Sequence, residues 1–364
     1  MTPPGSDVEQ VRFCRSTDGA RIAYAAHGDG PPLVVSTCWL SHLQFDRQSP
    51  VWKHWIDDLG SFTHLVRYDE RGFGLSDWDV DDFSFEHRIA DLEAVVDAAG
   101  LDRFALLGMA QGGQVAIMYA LRHPERVTRL ILNSAYPTMI VGEDGLAMEK
   151  AFVELIRVGW ARPESEFRRV FTSLMIPGAT AEQMAWLDDL QRVATSTENA
   201  IAFREARYGI DVRDVLPDLD LPTLVIQGKD ERVNPFEGSR ELATLIPGAQ
   251  LTALDTANHI LLADEPAWPV FVSEVRKFLA PDAERVARER TPDAERQAAL
   301  HTLTPRERDV LRHVAGGQDN DEIAAALNLS TRTVERHLQN AYLKLGVSGR
   351  SARAAAVAAL LSGP

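Results

Sequence analysis

The sequence predicts an α/β fold: a mostly parallel, doubly wound sheet that carries a helical cap insertion, followed by a small all-α domain. The first observation is length, because 364 residues exceed the roughly 150 that one domain usually takes, so two domains are expected. The second is that short apolar segments alternate with longer amphipathic ones as far as Leu279, which is typical of strands joined by helices. The third is that the segments from Leu303 onward have helical spacing only.

The composition argues against a disordered chain and against a membrane-spanning one. Hydrophobic residues make up 45% and charged residues 25% of the chain, as in globular proteins, and no apolar run approaches the ~20 residues of a membrane helix. Cys14 and Cys38 are the only cysteines, too few for a disulfide framework. The polar segment Met1–Gln10 lacks the pattern of a signal peptide. We therefore expect a cytoplasmic protein, with no metal and no cofactor.

The candidate strands are short apolar runs, most of them bounded by Gly, Pro or Asp. They are Leu33–Val35, Thr63–Tyr68, Phe104–Leu107, Val127–Leu132, Thr223–Ile226 and Gln250–Leu254. Helical patterns such as His87–Ala99 and Gln114–Arg122 lie between them. Parallel strands end at a common edge of the sheet, where α/β proteins bind their ligands.

The segment from Pro137 to Leu216 has no strand signal, and its apolar residues recur at helical spacing. We interpret it as a helical cap, about residues 137–216, over the carboxyl edge of the sheet. Its large apolar side chains include Trp160, Phe167, Phe171, Met175, Met184, Trp186 and Phe203. We expect most of them to form the core of the cap helices and the rest to line a pocket for a hydrophobic ester or lactone.

The most informative motif is Gly108-Met109-Ala110-Gln111-Gly112, between a candidate strand and a candidate helix. Glycines two positions either side of a central residue are typical of the G-x-S-x-G nucleophile elbow, a sharp turn that projects the central side chain. The backbone amide of Gln111 lies where it can donate to an oxyanion. The central residue here is Ala110, which has no nucleophilic atom.

An acid and a base follow in the chain order that this motif expects. The acid of such a loop usually lies three residues after the glycine and four before the proline; between Gly228 and Pro235, this is Glu231. Its neighbour Asp230 is the alternative acid, and His259 is the predicted base, with its tautomer held by the acid. Taken singly, the acidic pair fits a solvated loop and the histidine a core side chain. Elbow, acid and base in order, each after a candidate strand, favour a catalytic triad framework.

Over Val8–Leu279 the sequence resembles the α/β-hydrolase superfamily, and within it the subset fused to signalling or DNA-binding modules. The segments Tyr68–Asp77 and His123–Val127 also match. Many members have His-Gly after the strand that supplies the second oxyanion amide, whereas this chain has Thr-Cys there. Alignment with that strand implies that the amide of Trp39 is the second donor.

Ala110 has two interpretations. A natural pseudo-enzyme would keep the pocket as a ligand sensor, whereas an engineered replacement of serine would leave a chain that binds substrate without turning it over. Because the rest of the machinery is intact, the second is favoured. Both predict that this chain is nearly inactive, and that a serine parent is an ester or lactone hydrolase.

The C-terminal segment has the signals of a helix-turn-helix module. Thr304 and Glu307 form a capping box around a helix that starts at Pro305, and Ser330 caps a later helix that runs from Thr331 to about Leu345. One face of that helix is apolar, comprising Val334, Leu338, Ala341 and Leu345. The opposite face carries Arg332, Glu335, Arg336 and Gln339, residue types that read base edges. Phosphate contacts are expected from Ser330, Thr333 and Lys344.

Leu303–Val347 resembles the LuxR-type helix-turn-helix family, in segments such as Leu303–Glu307 and Ser330–Val334. The resemblance implies a four-helix module that dimerises through its last helix, here Ser351–Leu361, after a charged linker over residues 280–302. Glu335 departs from the family, many of whose members have a basic or neutral residue there. We expect it to weaken nonspecific binding and narrow sequence choice.

The sequence thus predicts a ligand-responsive regulator that binds a small hydrophobic ester or lactone and, as a homodimer, double-stranded DNA. The alternative is a working ester or lactone hydrolase whose helical domain serves oligomerisation. The net charge of −15 does not exclude DNA, because residues 300–364 carry +2 and the rest −17. An acidic body repels phosphate, so weak nonspecific binding is expected.

Overall fold

The structure, a computed structural model, describes residues 9–139, 142–164, 166–280, 303–327, 329–345 and 352, 353 and 356. The chain divides into two compact units, one ending at Leu279 and the other beginning at Ala280. The predicted linker, apart from residue 280, lies outside the described residues until the helical domain begins. No described helix has the length and apolarity needed to cross a bilayer.

The first unit is built on a sheet of eight strands. They are β1 (Val11–Arg15), β2 (Arg21–His27), β3 (Pro32–Ser36), β4 (His64–Tyr68), β5 (Phe104–Met109), β6 (Val127–Asn133), β7 (Thr223–Gly228) and β8 (Gln250–Leu254). Their order is β1-β2-β4-β3-β5-β6-β7-β8. The pairs β1–β2 and β2–β4 are antiparallel and all the other pairs are parallel, which confirms the mostly parallel, doubly wound sheet.

The six candidate strands correspond to β3 through β8, whereas the antiparallel hairpin β1–β2 was not among them. For β1 the physical reason is its surroundings, since it is an edge strand with no fully buried residue; β2 buries Ile22 to Ala25, so exposure does not explain its omission. A strand that buries neither face has no apolar run or clean alternation to mark it. Phe13, for example, is exposed at the centre of β1.

Helices pack on both faces of the sheet. They are α1 (Leu43–Asp46), α2 (Lys53–Gly60), α3 (Phe85–Ala98), α4 (Gly112–Arg122), α9 (Phe236–Leu245) and α10 (Ala267–Leu279). Successive side chains of β5 point to opposite faces: Leu106 packs in one apolar cluster with Val115 of α4. Leu107 packs in the other, with Trp55 of α2. Parallel strands buried on both faces account for the continuous apolar runs in the sequence.

The insertion is helical, as the fold class predicted. Its α-helices are α5 (Gly142–Gly159), α6 (Glu166–Met175), α7 (Ala181–Ala194) and α8 (Thr197–Glu205), and a 3₁₀ helix follows at Arg213–Asp218. Thr180 starts α7 with a complete capping box, in which Gln183 is the reciprocal partner. At the base of the insertion, Thr138 and Asp211 form an isolated antiparallel bridge.

The second unit contains α11 (Pro305–Ala315), α12 (Asn320–Leu327) and α13 (Thr331–Lys344). The predicted capping box at its start is present: Glu307 N donates to Thr304 Oγ1 at 3.2 Å and Thr304 N donates to Glu307 Oε2 at 2.8 Å. The three helices enclose their own core, which includes Val310, Ile323 and Val334. Of the predicted last helix, residues 352, 353 and 356 alone are described.

Candidate active site

The turn between β5 and α4 has the geometry of a nucleophile elbow. Ala110 has φ +49°, in the left-handed region that L-residues other than glycine seldom adopt. Its amide donates to the carbonyl of Asn133 on β6 at 3.0 Å, which holds the strained turn against the sheet. A left-handed alanine costs roughly 1–2 kcal/mol. The fold therefore maintains a strained residue at the position that the motif reserves for the nucleophile.

The two elbow glycines are required by close packing. A Cβ at Gly112 would lie 2.2 Å from the carbonyl oxygen of Ser36, at the end of β3. A Cβ at Gly108 would lie 2.6 Å from Cα of Gly113. Both contacts are with backbone atoms and cannot be relieved by rotating a side chain. The glycine spacing thus follows from the close approach of the turn to β3 and to its own helix, and does not depend on which side chain occupies position 110.

Glu231 and His259 form a close pair, and His259 lines the same cavity as Ala110. Nδ1 of His259 lies 2.6 Å from Oε1 of Glu231, and both side chains are buried. The same carboxylate oxygen accepts a hydrogen bond from the amide of Asn234 at 3.0 Å, which orients it. Asp230, the alternative acid, is exposed. The structure therefore brings Glu231 rather than Asp230 to the histidine, and leaves Nε2 as the nitrogen that can exchange a proton with a ligand.

The loop that carries His259 is tied to the cap. The amide of His259 donates to the carbonyl of Met175, at the end of α6, at 2.8 Å. Beside it, Oδ1 of Asn258 accepts from the amide of Gly178 at 2.9 Å. Because Met175 also lines the cavity described next, cap position and histidine position are mechanically linked.

A cavity of about 270 Å³ lies over the elbow. Its lining residues come from both the sheet loops and the cap: Trp39, Ala110, Gln111, Tyr136, Met139, Met148, Glu149, Phe152, Phe171, Leu174, Met175, Arg204, Arg207, Arg232, Val233, Asn234 and His259. Of the cap residues singled out in the sequence, Phe171 and Met175 line it. Trp160 and Phe203 are in the apolar core, and Trp186 stacks on Phe45 at 4.3 Å.

Two backbone amides at this cavity have no partner within the described chain. The amides of Trp39 and Gln111 donate to no described residue, and both residues line the cavity together with Ala110. Unpartnered N–H groups on either side of a reacting carbon are the geometry of an oxyanion hole. Among the described residues, no group of three His, Cys, Asp or Glu side chains is arranged to hold a metal.

The charged side chains in the cap wall were not predicted. Arg204 and Arg207, at the end of α8, and Glu149 on α5 line the cavity and are buried. The sequence analysis expected an apolar pocket, because helical spacing identifies an inward face only from its apolar members. The one available signal was an Arg-x-x-Arg pair directly after the apolar Phe203, since residues three apart share a helix face.

In the second unit, α13 presents the polar face that the sequence predicted. The exposed residues include Arg332, Glu335, Arg336 and Gln339, and among the described residues none of their head groups has a hydrogen-bond or ion-pair partner. Val334, Leu338 and Ala341 are buried on the opposite face. Ser330 Oγ accepts from Thr333 N at 3.2 Å and caps the helix. Nζ of Lys344 contacts Oε2 of Glu307 at 2.7 Å, so its expected phosphate contact would have to compete with this ion pair.

Comparison with known proteins identifies the family of the first unit. The family model of the alpha/beta hydrolase fold matches residues 31–266. The chain belongs to this family. In this alpha/beta hydrolase, a second family model, that of bacterial regulatory proteins of the luxR family, matches residues 301–357. The C-terminal domain is therefore a LuxR-type helix-turn-helix domain.

Relatives of this alpha/beta hydrolase include several enzymes. A non-heme chloroperoxidase from Streptomyces lividans is 29% identical over 270 residues, covering 69% of this chain and 94% of that protein. A pimeloyl-acyl-carrier protein methyl ester esterase from Nitrosomonas europaea is 27% identical over 245 residues, covering 66% and 93%. The crystal structure of the esterase RhEst1 from Rhodococcus sp. ECU1013 matches with a TM-score of 0.62 at 26% identity, covering 74% and 98%.

Proposed function

We propose that the first domain binds a small ester or lactone in the cavity over Ala110, within the framework of a serine hydrolase. The observation that carries the proposal is the left-handed residue 110 between two obligatory glycines, with a buried Glu231–His259 pair at the same cavity. Relatives that are named esterases support the ester class.

The chemistry follows from the residues in place. A hydroxyl at position 110 would attack the ester carbonyl, and Nε2 of His259 would take its proton. Glu231 would stabilise the imidazolium through Nδ1. The amides of Trp39 and Gln111 would donate to the oxyanion as it forms. His259 would then return the proton to the leaving alcohol, and a water molecule activated the same way would release the acid.

Ala110 prevents the first step of this reaction, the attack on the ester carbonyl. A methyl group offers no attacking atom, so the chain retains the binding cavity, the oxyanion donors and the base but forms no acyl intermediate. Removal of a triad nucleophile costs about 10⁶ in rate, while binding remains. We therefore propose that the chain with alanine binds ligand with strongly reduced turnover.

The Ala110→Ser variant is the direct test. Assayed against panels of esters and lactones, it should exceed the unmodified chain by about 10³-fold or more in kcat/KM. The matched control is the double variant Ala110→Ser/His259→Gln, which has the hydroxyl but lacks its base. No gain from Ala110→Ser on any ester or lactone would overturn the hydrolase interpretation. A gain that survives loss of His259 would show that the turnover arises elsewhere.

The second domain supports a regulatory role. We propose that α13 enters the major groove, that a homodimer recognises two half-sites, and that ligand in the first domain biases the dimer. The exposed and unpaired polar face of α13 favours this role over a purely oligomeric one, because an assembly surface would be mainly apolar. A gel shift with genomic fragments, with and without ester ligands, tests it. DNA binding that never appears would favour a hydrolase whose helical domain serves oligomerisation.

A further inference from the structure

The cap wall of the cavity carries three charged side chains, two of them positive and one negative, so it has a net positive charge. Arg204 and Glu149 form one closed pair, in which Nε of Arg204 donates to Oε2 of Glu149 at 3.2 Å and Nη2 contacts Oε1. The guanidinium also lies over the ring of Trp39, with 5.1 Å to its centroid. Arg204 is thus paired with Glu149 and held against Trp39.

Arg207 has no carboxylate within hydrogen-bond distance. Its Nη2 is 3.7 Å from Oε2 of Glu149, beyond hydrogen-bond distance. Nε and Nη2 are buried, and no described residue accepts a hydrogen bond from either. The residue is 5% exposed and lines the cavity. A buried guanidinium normally has an acceptor for its donors, so this one is an unusual feature of the cap.

The surrounding charges leave a positive excess on this wall. Glu149 is the only carboxylate among the described lining residues, and it is bound to Arg204. The other buried carboxylate nearby, that of Glu231, is bound to His259. Burial, followed by the field of Arg207, lowers the pKa of Arg204 to about 10, although Glu149 opposes the shift. Two guanidiniums therefore share one carboxylate in a site of low polarity.

Two other buried arginines show that this edge of the guanidinium can hold a carboxylate, whereas the guanidinium of a third, Arg168, donates to backbone carbonyls. Arg71 holds Asp91 through Nε and Nη2, at 2.7 and 2.6 Å. Arg88 holds Glu70 through the same two nitrogens, at 3.2 and 3.0 Å. These two nitrogens form the edge of the guanidinium that matches a carboxylate in geometry. In Arg207 they are the two nitrogens without a partner.

We propose that Arg207 forms a carboxylate subsite in the cavity, so that the natural ligand is an ester or lactone that also carries a carboxylate. The inference rests on the proposed function for the position of the ester group, and it refines the expectation of a wholly apolar ligand. The apolar lining, including Phe152 and Phe171, then holds the hydrocarbon between the two ends. The ligand class is an amphipathic half-ester or a lactone acid.

Binding to the unmodified chain tests the subsite without requiring turnover. The probes are mono-p-nitrophenyl glutarate, which has a free carboxylate, and p-nitrophenyl pentanoate, which has a methyl end of similar length. Calorimetry should show the charged probe binding about 10-fold or more tightly, as expected for a hydrogen-bonded charge pair. Arg207→Gln should remove this preference, and Arg207→Lys should retain part of it. Equal binding of the two probes to the unmodified chain would overturn the subsite.

The matched control is Arg157→Gln, which removes one arginine from the same cap. Arg157 is exposed and pairs with Glu154 on its own helix, away from the lining residues. It should leave the preference for the charged probe unchanged. An equal loss in Arg157→Gln and Arg207→Gln would attribute the preference to the general charge of the cap and would overturn the subsite.

Turnover separates this inference from the proposed function. In the Ala110→Ser background, the ratio of kcat/KM for the charged and neutral esters should exceed about 10, and Arg207→Gln should reduce it to near 1. Neutral-ester turnover should persist in that variant, which shows that it is folded. If Arg207→Gln does not fold, the ratios of the parent and of Arg207→Lys decide. Charge-selective binding without any turnover would overturn the hydrolase proposal alone, whereas turnover with a ratio near 1 would overturn the subsite alone.

Discussion

Nδ1 of His259 lies 2.6 Å from Oε1 of Glu231, although the residue at the elbow, Ala110, has no hydroxyl for this pair to act on. The contact is buried, and the amide of Asn234 holds the same carboxylate oxygen. A buried histidine–carboxylate pair needs such fixed geometry, because either group left alone would be costly to bury. The geometry of the pair is therefore fixed beside an elbow residue that has no nucleophilic atom, as the proposed acid and base roles require.

The first prediction distinguishes the two acidic neighbours. In the Ala110→Ser background, Glu231→Gln should reduce kcat by about 10³-fold or more, because the amide no longer stabilises the imidazolium. Asp230→Asn is the matched control, since Asp230 is exposed, and it should leave kcat within about 3-fold. Steady-state kinetics on one ester suffice for the comparison. A larger loss of kcat in Asp230→Asn than in Glu231→Gln would show that Asp230, not Glu231, is the acid.

The second prediction concerns the packing of the elbow. Gly112→Ala should destabilise the first domain by about 3 kcal/mol or more, because its Cβ would lie 2.2 Å from the Ser36 carbonyl oxygen. Gly100→Ala is the control: its φ is +69° but no atom lies within 4 Å of the added Cβ. Backbone strain alone should cost it about 1–2 kcal/mol. Urea unfolding measures both, and a loss in Gly112→Ala no larger than that in Gly100→Ala would contradict the cost of the close contact at position 112.

The third prediction is a pH dependence of stability. Burial and the neighbouring Asp69 raise the pKa of Asp46 to about 8, against the opposing field of Arg67. In the unfolded chain the pKa of this carboxyl is about 4. Between these values the folded protein holds a proton that the unfolded chain has released, so this residue's contribution to stability falls as pH rises from about 4 to 8.

Asp46→Asn imitates the protonated carboxyl at every pH. Its Tm relative to the unmodified chain should therefore rise between pH 5 and pH 8.5. The side-chain oxygen that accepts from the His42 amide at 3.1 Å is retained in asparagine. Asp102→Asn, at an exposed carboxylate, should give a curve parallel to that of the unmodified chain. Parallel curves for Asp46→Asn as well would contradict the raised pKa.

The fourth prediction tests α13 as the reading helix. With an operator selected from a random DNA pool, Arg336→Ala should weaken binding about 10- to 100-fold and relax base choice at one position in each half-site. Arg312→Ala is the control, because Arg312 lies on α11 and pairs with Asp309. Gel shifts and repeated selection measure affinity and specificity. Unchanged affinity and base choice in Arg336→Ala would contradict the proposal that this helix enters the major groove.

The sequence predicts those features of this protein that depend on residues close together along the chain. The glycine spacing of the elbow, the capping box at Thr304 and Glu307, and the two faces of α13 are each written in residues within one turn or one helix. Their patterns are local, so the sequence predicts them and the structure has them. Strand β1 was missed because an exposed edge strand has no apolar pattern to reveal it.

The choice between acids required the tertiary structure. Asp230 and Glu231 are adjacent, so the sequence leaves both open. Only the relative position of the loops after β7 and β8 brings Glu231 to His259 and leaves Asp230 exposed. Likewise, Trp39 follows β3 and Gln111 follows β5. The two residues reach one cavity because β3 and β5 are neighbouring parallel strands.

The sequence by itself determined the two-domain organisation, the hydrolase-like elbow with alanine at its centre, and the polar face of α13. Only the tertiary structure decided the character of the ligand cavity. Glu149 is on α5, whereas Arg204 and Arg207 lie at the end of α8, and their charges become unbalanced only when the cap folds over the sheet and excludes water. Electrostatic energy depends on distance and burial, and neither can be read along the chain.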